Sequence, residues 1–270
     1  MKRLRERAAI VAAVRGWLNE EGFLEVEPPV LVDSPALEET LEAVRADGGW
    51  LHTSPEFALK RVLAMGLPRI FAITPTFRGE EVGRHHAHEF TMLELYLCNA
   101  GYLDLIPVVE EIVAAAARAI GVAVPSFSRR TVGELFHGEV PDDDDAFFFA
   151  WVDRIEPGLR EPTFVIDYPA RHAALAEVRG DVAERLEVYL GGLELGNGFS
   201  ELRDPEELRA RFARSAARRT EMRRAPHPTD EAVIAASGCM PRCAGIAIGV
   251  DRLVMALTGA EDIAEVRVPR

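Results

Sequence analysis

The stretch FRGEEVGRHHAHEFTMLELY, residues 77–96, places two arginines, four glutamates and three histidines between apolar runs. These side chains suit either a bound metal ion or a nucleotide. In an extended chain only His86 and His88 can share a face, so a zinc site would need the nearby glutamates as further ligands. The arginines argue against a metal, because positive charge beside a bound cation is unfavourable. Guanidinium and imidazole groups bind phosphate and Phe90 offers a ring for a base, so the pattern favours a nucleotide.

The end of this stretch predicts a strand with a carboxylate on an otherwise apolar face. Side chains alternate between the two faces of a strand; one face holds Leu93, Leu95 and Leu97, and the other holds Phe90, Met92, Glu94 and Tyr96. Burying Glu94 costs free energy unless a cation or hydrogen-bond donors meet it. No Lys or Arg lies on the same strand. The partner is therefore an arginine from elsewhere in the chain or the ammonium group of a ligand.

The downstream stretch ELGNGFSEL repeats this pattern. Asn197, Phe199 and Glu201 share one face of a predicted strand. Gly196 and Gly198 allow another backbone or a ligand to approach closely.

Two glutamates flank the Gly191-Gly192 turn just upstream. In a hairpin Glu187 and Glu194 would lie opposite one another, which suits a hard divalent cation. Magnesium prefers a few carboxylates together with phosphate oxygens. The pair therefore fits a magnesium–nucleotide site, and by spacing alone it fits two surface acids equally well.

The apolar periodicity and the positions of Gly and Pro predict the following elements. Helices are expected over residues 3–21, 55–65, 103–119, 205–222 and 251–257, and strands over 23–32, 69–76, 90–98, 163–168 and 187–190. Strands joined mostly by hairpins, with helices between groups, predict an α+β fold around an antiparallel sheet. Without a repeat or a linker, residues 1–270 are expected to form a single domain.

Composition limits the classes of function. The net charge of −13 argues against a broad nucleic-acid surface, which needs clustered Lys and Arg. Cys98, Cys239 and Cys243 form an odd set without framework spacing, which favours a reducing cytoplasm over a metal or disulfide role. No apolar run approaches the roughly 20 residues that span a bilayer.

Two charged runs have ordinary explanations. The acids Asp142–Asp145 are expected at a helix N-terminus, where the helix dipole favours them. The predicted helix over residues 205–222 is rich in arginine, and these side chains are either a solvated face or a surface that steers an acidic partner.

These segments, taken in order, resemble the class II aminoacyl-tRNA synthetases. GFLEVEPPVL resembles motif 1 of that family, FRGEE with HEFTMLELY resembles motif 2, and GIAIGVDRLVM resembles motif 3. TSPEFALKR and ELGNGFSELRDPEE are similar to the lysine-specific subgroup. The resemblance covers nearly the whole chain and implies a catalytic fold of an antiparallel sheet flanked by helices, dimeric through motif 1.

The resemblance also implies a role for each matching residue. Arg78 and Arg252 would be catalytic and hold ATP phosphates, with Glu80, His86, Phe90 and Glu187 completing the ATP site. Glu187 and Glu194 would hold Mg²⁺. The amino acid would be bound by Glu56, Glu94, Tyr96, Asn197, Phe199, Glu201 and Ala247, with Glu201 and Tyr96 receiving its terminal ammonium. The family usually has H-N-P-E-F where this chain has His86-Ala87-His88-Glu89-Phe90, so His85 and His88 inherit no role.

Other segments resemble the free-standing branch of this family, the elongation factor P–lysine ligases, which attach β-lysine to a lysine side chain of that factor. They are EEVGR, PARHAALAEV, HPTDEAVIAA and GAEDIAEV. The chain begins at the helix that leads into motif 1, so no N-terminal anticodon-binding OB domain is expected and tRNA is an unfavoured acceptor. Ala247 stands where lysyl-tRNA synthetases typically have glycine. Its methyl group would favour a shifted amino group by about 1–3 kcal/mol.

The resemblance therefore implies ATP-dependent activation of lysine or (R)-β-lysine and its transfer to elongation factor P. Two alternatives stay open at this point. One is a truncated lysyl-tRNA synthetase-like enzyme that charges tRNA or another small acceptor. The other is a non-catalytic regulatory paralogue, which the retained ATP, magnesium and ammonium positions disfavour.

Overall fold

The computed structural model describes residues 1–37 and 39–269. Its α-helices are Lys2–Glu20 (α1), Glu56–Ala64 (α2), Leu105–Ile120 (α3), Val132–Leu135 (α4), Asp144–Ala150 (α5), Pro205–Glu221 (α6), Glu231–Ser237 (α7) and Val250–Thr258 (α8). Its strands are Leu24–Glu25 (β1), Leu31–Val32 (β2), Arg45–Ala46 (β3), Gly49–Leu51 (β4), Arg69–Phe77 (β5), Glu89–Cys98 (β6), Ser128–Thr131 (β7), Thr163–Pro169 (β8), Val178–Arg179 (β9), Val182–Leu190 (β10), Leu193–Ser200 (β11) and Cys243–Gly249 (β12).

A large sheet organises the fold, with strand order β1-β5-β6-β12-β11-β10-β8-β7 and β9 paired to β10. Every pairing from β5 to β8 is antiparallel. Parallel pairing is found where β1 meets β5 and where β7 meets β8, at the two edges. A small sheet, β2-β4-β3, lies apart from it. The predicted α+β fold with an antiparallel sheet flanked by helices is confirmed.

One face of the large sheet packs on helices α1, α3 and α8. Leu93 and Leu95 of β6 belong to this core with Ile10 of α1, Val109 of α3 and Leu253 of α8. The predicted alternation along β6 is therefore confirmed. Glu94 and Tyr96 are nevertheless as buried as the leucines. The second face is also covered, and it carries the polar side chains.

The predicted strand over residues 23–32 is wrong. Leu24–Glu25 pairs with β5 at the edge of the large sheet, whereas Leu31–Val32 pairs with β4 in the small sheet. Pro28 and Pro29 lie between them, and proline cannot donate to a ladder, so the chain leaves one sheet before it enters the other.

The acidic run begins helix α5, as predicted. Asp143 is the N-cap and its Oδ1 accepts a hydrogen bond from the Ala146 backbone N–H at 2.8 Å. Asp144 and Asp145 lie in the first turn, where they interact favourably with the helix dipole. Asp144 also lies 3.2 Å from Nε of Arg171.

Most of the α6 arginines face solvent and pair with nearby glutamates. Arg218, for example, lies 3.3 Å from Glu221 on an exposed face. Arg219 differs, because only 1% of it is exposed and it donates to the carbonyls of Leu41 and Ala225 and to the carboxylate of Glu42. The arginine-rich run thus combines a solvated face with one buried structural cation.

Arg219→Met is expected to lower the free energy of unfolding by about 3–5 kcal/mol, because it removes the cation from a buried pair and leaves carbonyls without donors. Urea denaturation measures this change. Arg218→Met is the matched control from the same helix, and we expect a change within about 0.5 kcal/mol there. Equal effects of the two substitutions would contradict the structural role of Arg219.

Candidate active site

Two transverse rows of residues cross the polar face of the large sheet. In the first row Glu94 of β6, Ala247 of β12, Asn197 of β11 and Glu187 of β10 are consecutive cross-strand partners. In the second row the partners are Tyr96, Gly245, Phe199 and Arg185. Residues far apart in the chain are therefore neighbours, and six of these eight are predicted site residues.

Gly245 makes the second row possible. A Cβ at this position would lie 2.3 Å from Cε1 of Tyr96 and 2.7 Å from Oε1 of Glu201. The missing side chain leaves room for a phenol ring and a carboxylate. Gly196 and Gly198 serve a different purpose, since a Cβ there would lie 2.3 Å and 2.8 Å from carbonyl oxygens of β12. The neighbouring backbone is thus a close partner of both glycines, and Gly196 also lines the cleft described below.

Three carboxylates meet in a buried pocket beside these rows. Glu94 accepts hydrogen bonds from Oγ of Ser54 at 2.7 Å and from Oη of Tyr96 at 2.6 Å. Glu201 is 1% exposed, and Glu56 joins it from the first turn of α2. This pocket of Glu56, Glu94 and Glu201 is called the carboxylate pocket below.

Lys60 is the cation of the carboxylate pocket. Its Nζ lies 2.6 Å from Oε1 of Glu56 and 2.6 Å from Oε2 of Glu201, and the residue is 2% exposed. Burial alone would lower the pKa of Lys60, but the two carboxylates outweigh it and raise that pKa. A buried lysine thus supplies a cation near Glu94. The sequence analysis names only an arginine or the ammonium group of a ligand as this cation.

One lysine does not balance three carboxylates. Burial and the neighbouring Glu56 raise the pKa of Glu94 to about 7. Burial likewise raises the pKa of Glu201 to about 8, although Lys60 opposes this shift. Oε1 of Glu201 has no hydrogen-bond partner among the described residues. With all groups ionised the pocket carries a net charge of −2, from three carboxylates and one ammonium.

A cleft of about 220 Å³ adjoins the pocket through Asn197 and Ala247, which line it. The guanidinium of Arg78 lies 5.2 Å from the ring centre of Phe90. Arg252 donates through Nη2 to Nε2 of His86 at 2.5 Å. Burial and the charge of Arg252 lower the pKa of His86, so the neutral imidazole accepts this bond. The cleft thus brings together two guanidiniums, an imidazole and an aromatic ring.

Glu80 is not among the residues that line this cleft. Its Oε2 lies 2.8 Å from Nη2 of Arg224, and the side chain is exposed. Glu81 lines the cleft instead and lies 3.4 Å from Arg78. The predicted contact of Glu80 with adenine stays a prediction.

Glu187 and Glu194 are not opposite one another as expected. Glu194 pairs with Tyr189 next to the Gly191-Gly192 turn, and Glu187 pairs with Asn197 beyond a bulge between Val188 and Tyr189. Both glutamates still line one side cavity of about 170 Å³. Burial and the charge of Glu187 raise the pKa of Glu194 to about 7, which a bound cation would reverse.

The donor set fits Mg²⁺ in part. Glu194 and Glu187 supply two carboxylates beside the cleft, the number that magnesium commonly takes when phosphates supply the rest. Oε1 of Glu187 is held by Nη2 of Arg185 at 2.6 Å, and Oε2 accepts from Oη of Tyr189 at 2.7 Å. Among residues 1–37 and 39–269, no group of three or more His, Cys, Asp or Glu side chains is placed to hold a metal. Phosphate oxygens would have to complete the site.

Sequence reasoning missed Lys60, Gly245 and Arg185. Lys60 follows Glu56 by four residues on the face of α2 that also buries Leu59 and Leu63, so its helical position was a usable signal. Gly245 and Arg185 depend on cross-strand register, which the sequence alone does not give.

Glu94→Gln is expected to stabilise the ligand-free protein more at pH 8 than at pH 4.5. A carboxyl whose pKa is raised to about 7 by folding holds its proton more tightly in the native state. Ionisation of Glu94 therefore lowers the free energy of unfolding by on the order of 1–3 kcal/mol as the pH rises from the pKa of the unfolded state through about 7. Urea denaturation at the two pH values measures the difference, with exposed Glu161→Gln as the control. A pH-independent difference between Glu94→Gln and wild type would contradict the shift.

The comparisons with known proteins agree with this geometry. Residues 1–268 match the family described as tRNA synthetases class II (D, K and N). A protein of Aquifex aeolicus named elongation factor P--(R)-beta-lysine ligase homolog is 35% identical over 280 residues, which cover 93% of each chain. Proteins named elongation factor P--(R)-beta-lysine ligase are similar to it as well. The one from Pectobacterium atrosepticum is 35% identical and the one from Sodalis glossinidius 36%, each over 97% of this chain and 93% of the relative. The chain belongs to the class II tRNA synthetase family that includes the aspartate, lysine and asparagine enzymes.

Proposed function

We propose that the protein is an ATP-dependent ligase that activates lysine or (R)-β-lysine and transfers it to a lysine side chain of elongation factor P. The excess of three carboxyl groups over one lysine in the buried carboxylate pocket carries this proposal. A diamine brings two ammonium groups, and buried carboxylates accept such a ligand because each unpaired charge is costly. The names of the relatives support the same substrate and the same acceptor.

In the first step the substrate carboxylate attacks the α-phosphorus of ATP. The bond from that phosphorus to the bridging oxygen breaks, and pyrophosphate leaves. The nucleophile is already ionised, so no general base is required. Arg78 and Arg252 flank the cleft and would stabilise the charge that develops on the phosphates. Asn197 would orient the substrate carboxylate, which is the positioning that such a reaction needs.

Glu187 and Glu194 would hold Mg²⁺, which neutralises phosphate charge when it is bound. Arg185 and Tyr189 hold Glu187 without it, so the carboxylate stays oriented. His86 would contact the outer phosphates and Phe90 would stack on the base. Glu80 and Arg78 complete the ATP site of this proposal.

The amino-acid end of the site distinguishes the diamine from other amino acids. Oε1 of Glu201 would accept the terminal ammonium with Tyr96 beside it, and Glu56 would meet the other amino group. Phe199 lies 5.5 Å from Nζ of Lys60 and forms a wall of the pocket. The methyl of Ala247 lies in the row between Glu94 and Asn197, where it would favour the amino position of β-lysine over that of α-lysine.

The proposal includes a homodimer formed through the segment that resembles motif 1. Leu24 and Leu31 are large apolar side chains that are 50% and 47% exposed on that segment. Burying such leucines against a second copy is favourable by roughly 1.5–3 kcal/mol each.

A single catalytic domain and a cytoplasmic location stay predictions. In the described part of the chain no helix is long and apolar enough to cross a membrane.

Leu24→Arg combined with Leu31→Arg is expected to give a monomer, because the charges would have to be desolvated in the interface. Light scattering after size-exclusion chromatography measures the molar mass. Leu103→Arg is the matched control, since this leucine is 44% exposed outside that segment. A monomeric wild type would contradict the dimer.

ATP–pyrophosphate exchange tests the activation step. Exchange is expected with (R)-β-lysine or α-lysine and not with norleucine, which lacks the terminal ammonium. Glu201→Gln should raise the KM for the diamine at least tenfold and leave the KM for ATP within twofold. Glu161→Gln is the control for a remote glutamate.

Transfer to purified elongation factor P and to tRNA tests the acceptor. Label on elongation factor P alone is the expected result. Transfer to tRNA alone would instead assign the protein to the tRNA-charging class. Absence of exchange with either diamine would leave a non-catalytic paralogue.

A further inference from the structure

The side cavity that Glu187 and Glu194 line has a second set of walls. Aromatic rings form much of it, and the polar remainder includes a carboxylate and a histidine that the proposed ATP and amino-acid sites do not use. Its lining consists of Phe147, Phe148, Trp151, Glu156, Tyr168, His172, Arg185, Glu187, Tyr189 and Glu194.

The side cavity is next to the reaction centre. Glu194 lines both this cavity and the nucleotide cleft. Arg185 separates the two, since its Nε donates to Oδ1 of Asn197 at 3.2 Å and its Nη2 donates to Glu187. Asn197 is the residue to which the proposed function assigns the substrate carboxylate. A long side chain in the cavity would therefore end beside the carbonyl carbon of the adenylate.

The charges and rings of the side cavity suit an organic cation. Three carboxylates, from Glu156, Glu187 and Glu194, stand against the single guanidinium of Arg185. An ammonium group gains from the carboxylate of Glu156 and from the aromatic faces, and neither of these attracts a phosphate. Glu156 is outside the proposed magnesium pair, so one carboxylate stays available when that pair holds the metal.

His172 adds a ring nitrogen without a partner to the same cavity. The residue is 8% exposed, and its Nε2 has no hydrogen-bond partner within the described residues. Oδ1 of Asp144 is 3.6 Å from this nitrogen, beyond hydrogen-bond distance. The imidazole is held by stacking on Phe147 with ring centres 4.2 Å apart. A buried polar atom of this kind normally has a partner, and an N–H donor from a ligand would supply it.

The mouth of the side cavity has an exposed apolar surface. Phe148 is 55% exposed and lines the cavity, and Phe149 and Val152 are 70% and 57% exposed on the same short helical segment. The acids Asp142–Asp145 lie immediately before these residues in the chain. Exposed phenylalanines bordered by acids fit a protein surface that carries apolar and basic side chains, and they do not fit a nucleic-acid backbone.

We propose that the side cavity is the entry port for the acceptor lysine. The acceptor protein would contact Phe148, Phe149 and Val152. Its lysine side chain would pass between the aromatic rings and past Glu156 and His172, with its amino group at the end of the cavity beside Arg185 and Asn197. This inference rests on the proposed function. In the transfer step the amine, after releasing a proton to water, attacks the adenylate carbonyl carbon. A C–N bond forms, the bond from that carbon to the phosphate oxygen breaks, and AMP leaves.

Phe148→Ser and Val152→Ser test the port on the intact enzyme. Each should raise the KM for elongation factor P at least tenfold in lysyl transfer. ATP–pyrophosphate exchange should stay within twofold of wild type, because activation does not use the port. Formation of lysyl hydroxamate from hydroxylamine should also stay within twofold, since this small amine reaches the adenylate without docking.

Val124→Ser is the matched control, because Val124 is 48% exposed outside this segment and should leave transfer unchanged. Normal transfer by both port variants would overturn the inference. Equal loss of exchange and transfer would also overturn it, by assigning these residues to activation or folding. Failure of the proposed function has a different signature, namely a wild type that does not exchange or that transfers to tRNA alone.

Discussion

Lys60 contacts Glu56 and Glu201 in a buried pocket, and the rest of the structure must balance the charge of these groups. Ionised carboxylates are stable away from water only when cations and hydrogen-bond donors surround them. Lys60 supplies one cation, and Ser54 and Tyr96 supply donors to Glu94. The raised pKa values of Glu94 and Glu201 show that proton uptake relieves the remaining negative charge in the empty pocket, and a cationic ligand would replace those protons. The proposed selection of a diamine and the raised pKa values therefore have the same physical origin.

The sheet brings the charged and polar side chains together through cross-strand pairing, and not because they are close in the sequence. Four adjacent strands each contribute one residue to each transverse row, so Glu94 of the carboxylate pocket, Ala247, Asn197 and Glu187 follow one another across the sheet. Gly245 keeps the rows close to the pocket by leaving space for Tyr96. The helices on the other face support the strands through an apolar core and contribute no charge to the row.

Much of this arrangement was predictable from periodicity and chemistry. Alternation along β6 placed Glu94 and Tyr96 on the face opposite Leu93 and Leu95, and the structure agrees. Of the arginines, histidines and phenylalanines in residues 77–96, Arg78, His85, His86 and Phe90 line the cleft, whereas Arg84 and His88 are not among its lining residues. The resemblance of several motifs to one family added the expected roles of the site residues. Glu80 lies beside Arg224, and its expected contact with adenine stays a prediction.

The rest required register and tertiary contacts. The bulge at Val188 makes Asn197 the partner of Glu187, and no local rule in the sequence predicts a bulge. Residues 23–32 form two strands because β1 pairs with β5 and β2 pairs with β4, and these pairings are tertiary contacts. Lys60 appeared as an ordinary helical residue, because its role arises only when α2 packs beside Glu201, which lies 141 positions later in the chain.

The transverse rows determine how the site responds to partial unfolding of the sheet. Each row draws its members from four strands, so no single hairpin contains the complete site. A fluctuation that detaches any one central strand removes a member from both rows at once. Such strands usually open only with the whole domain. Ligand affinity should accordingly behave as an all-or-none property of the chain, present at full strength or absent.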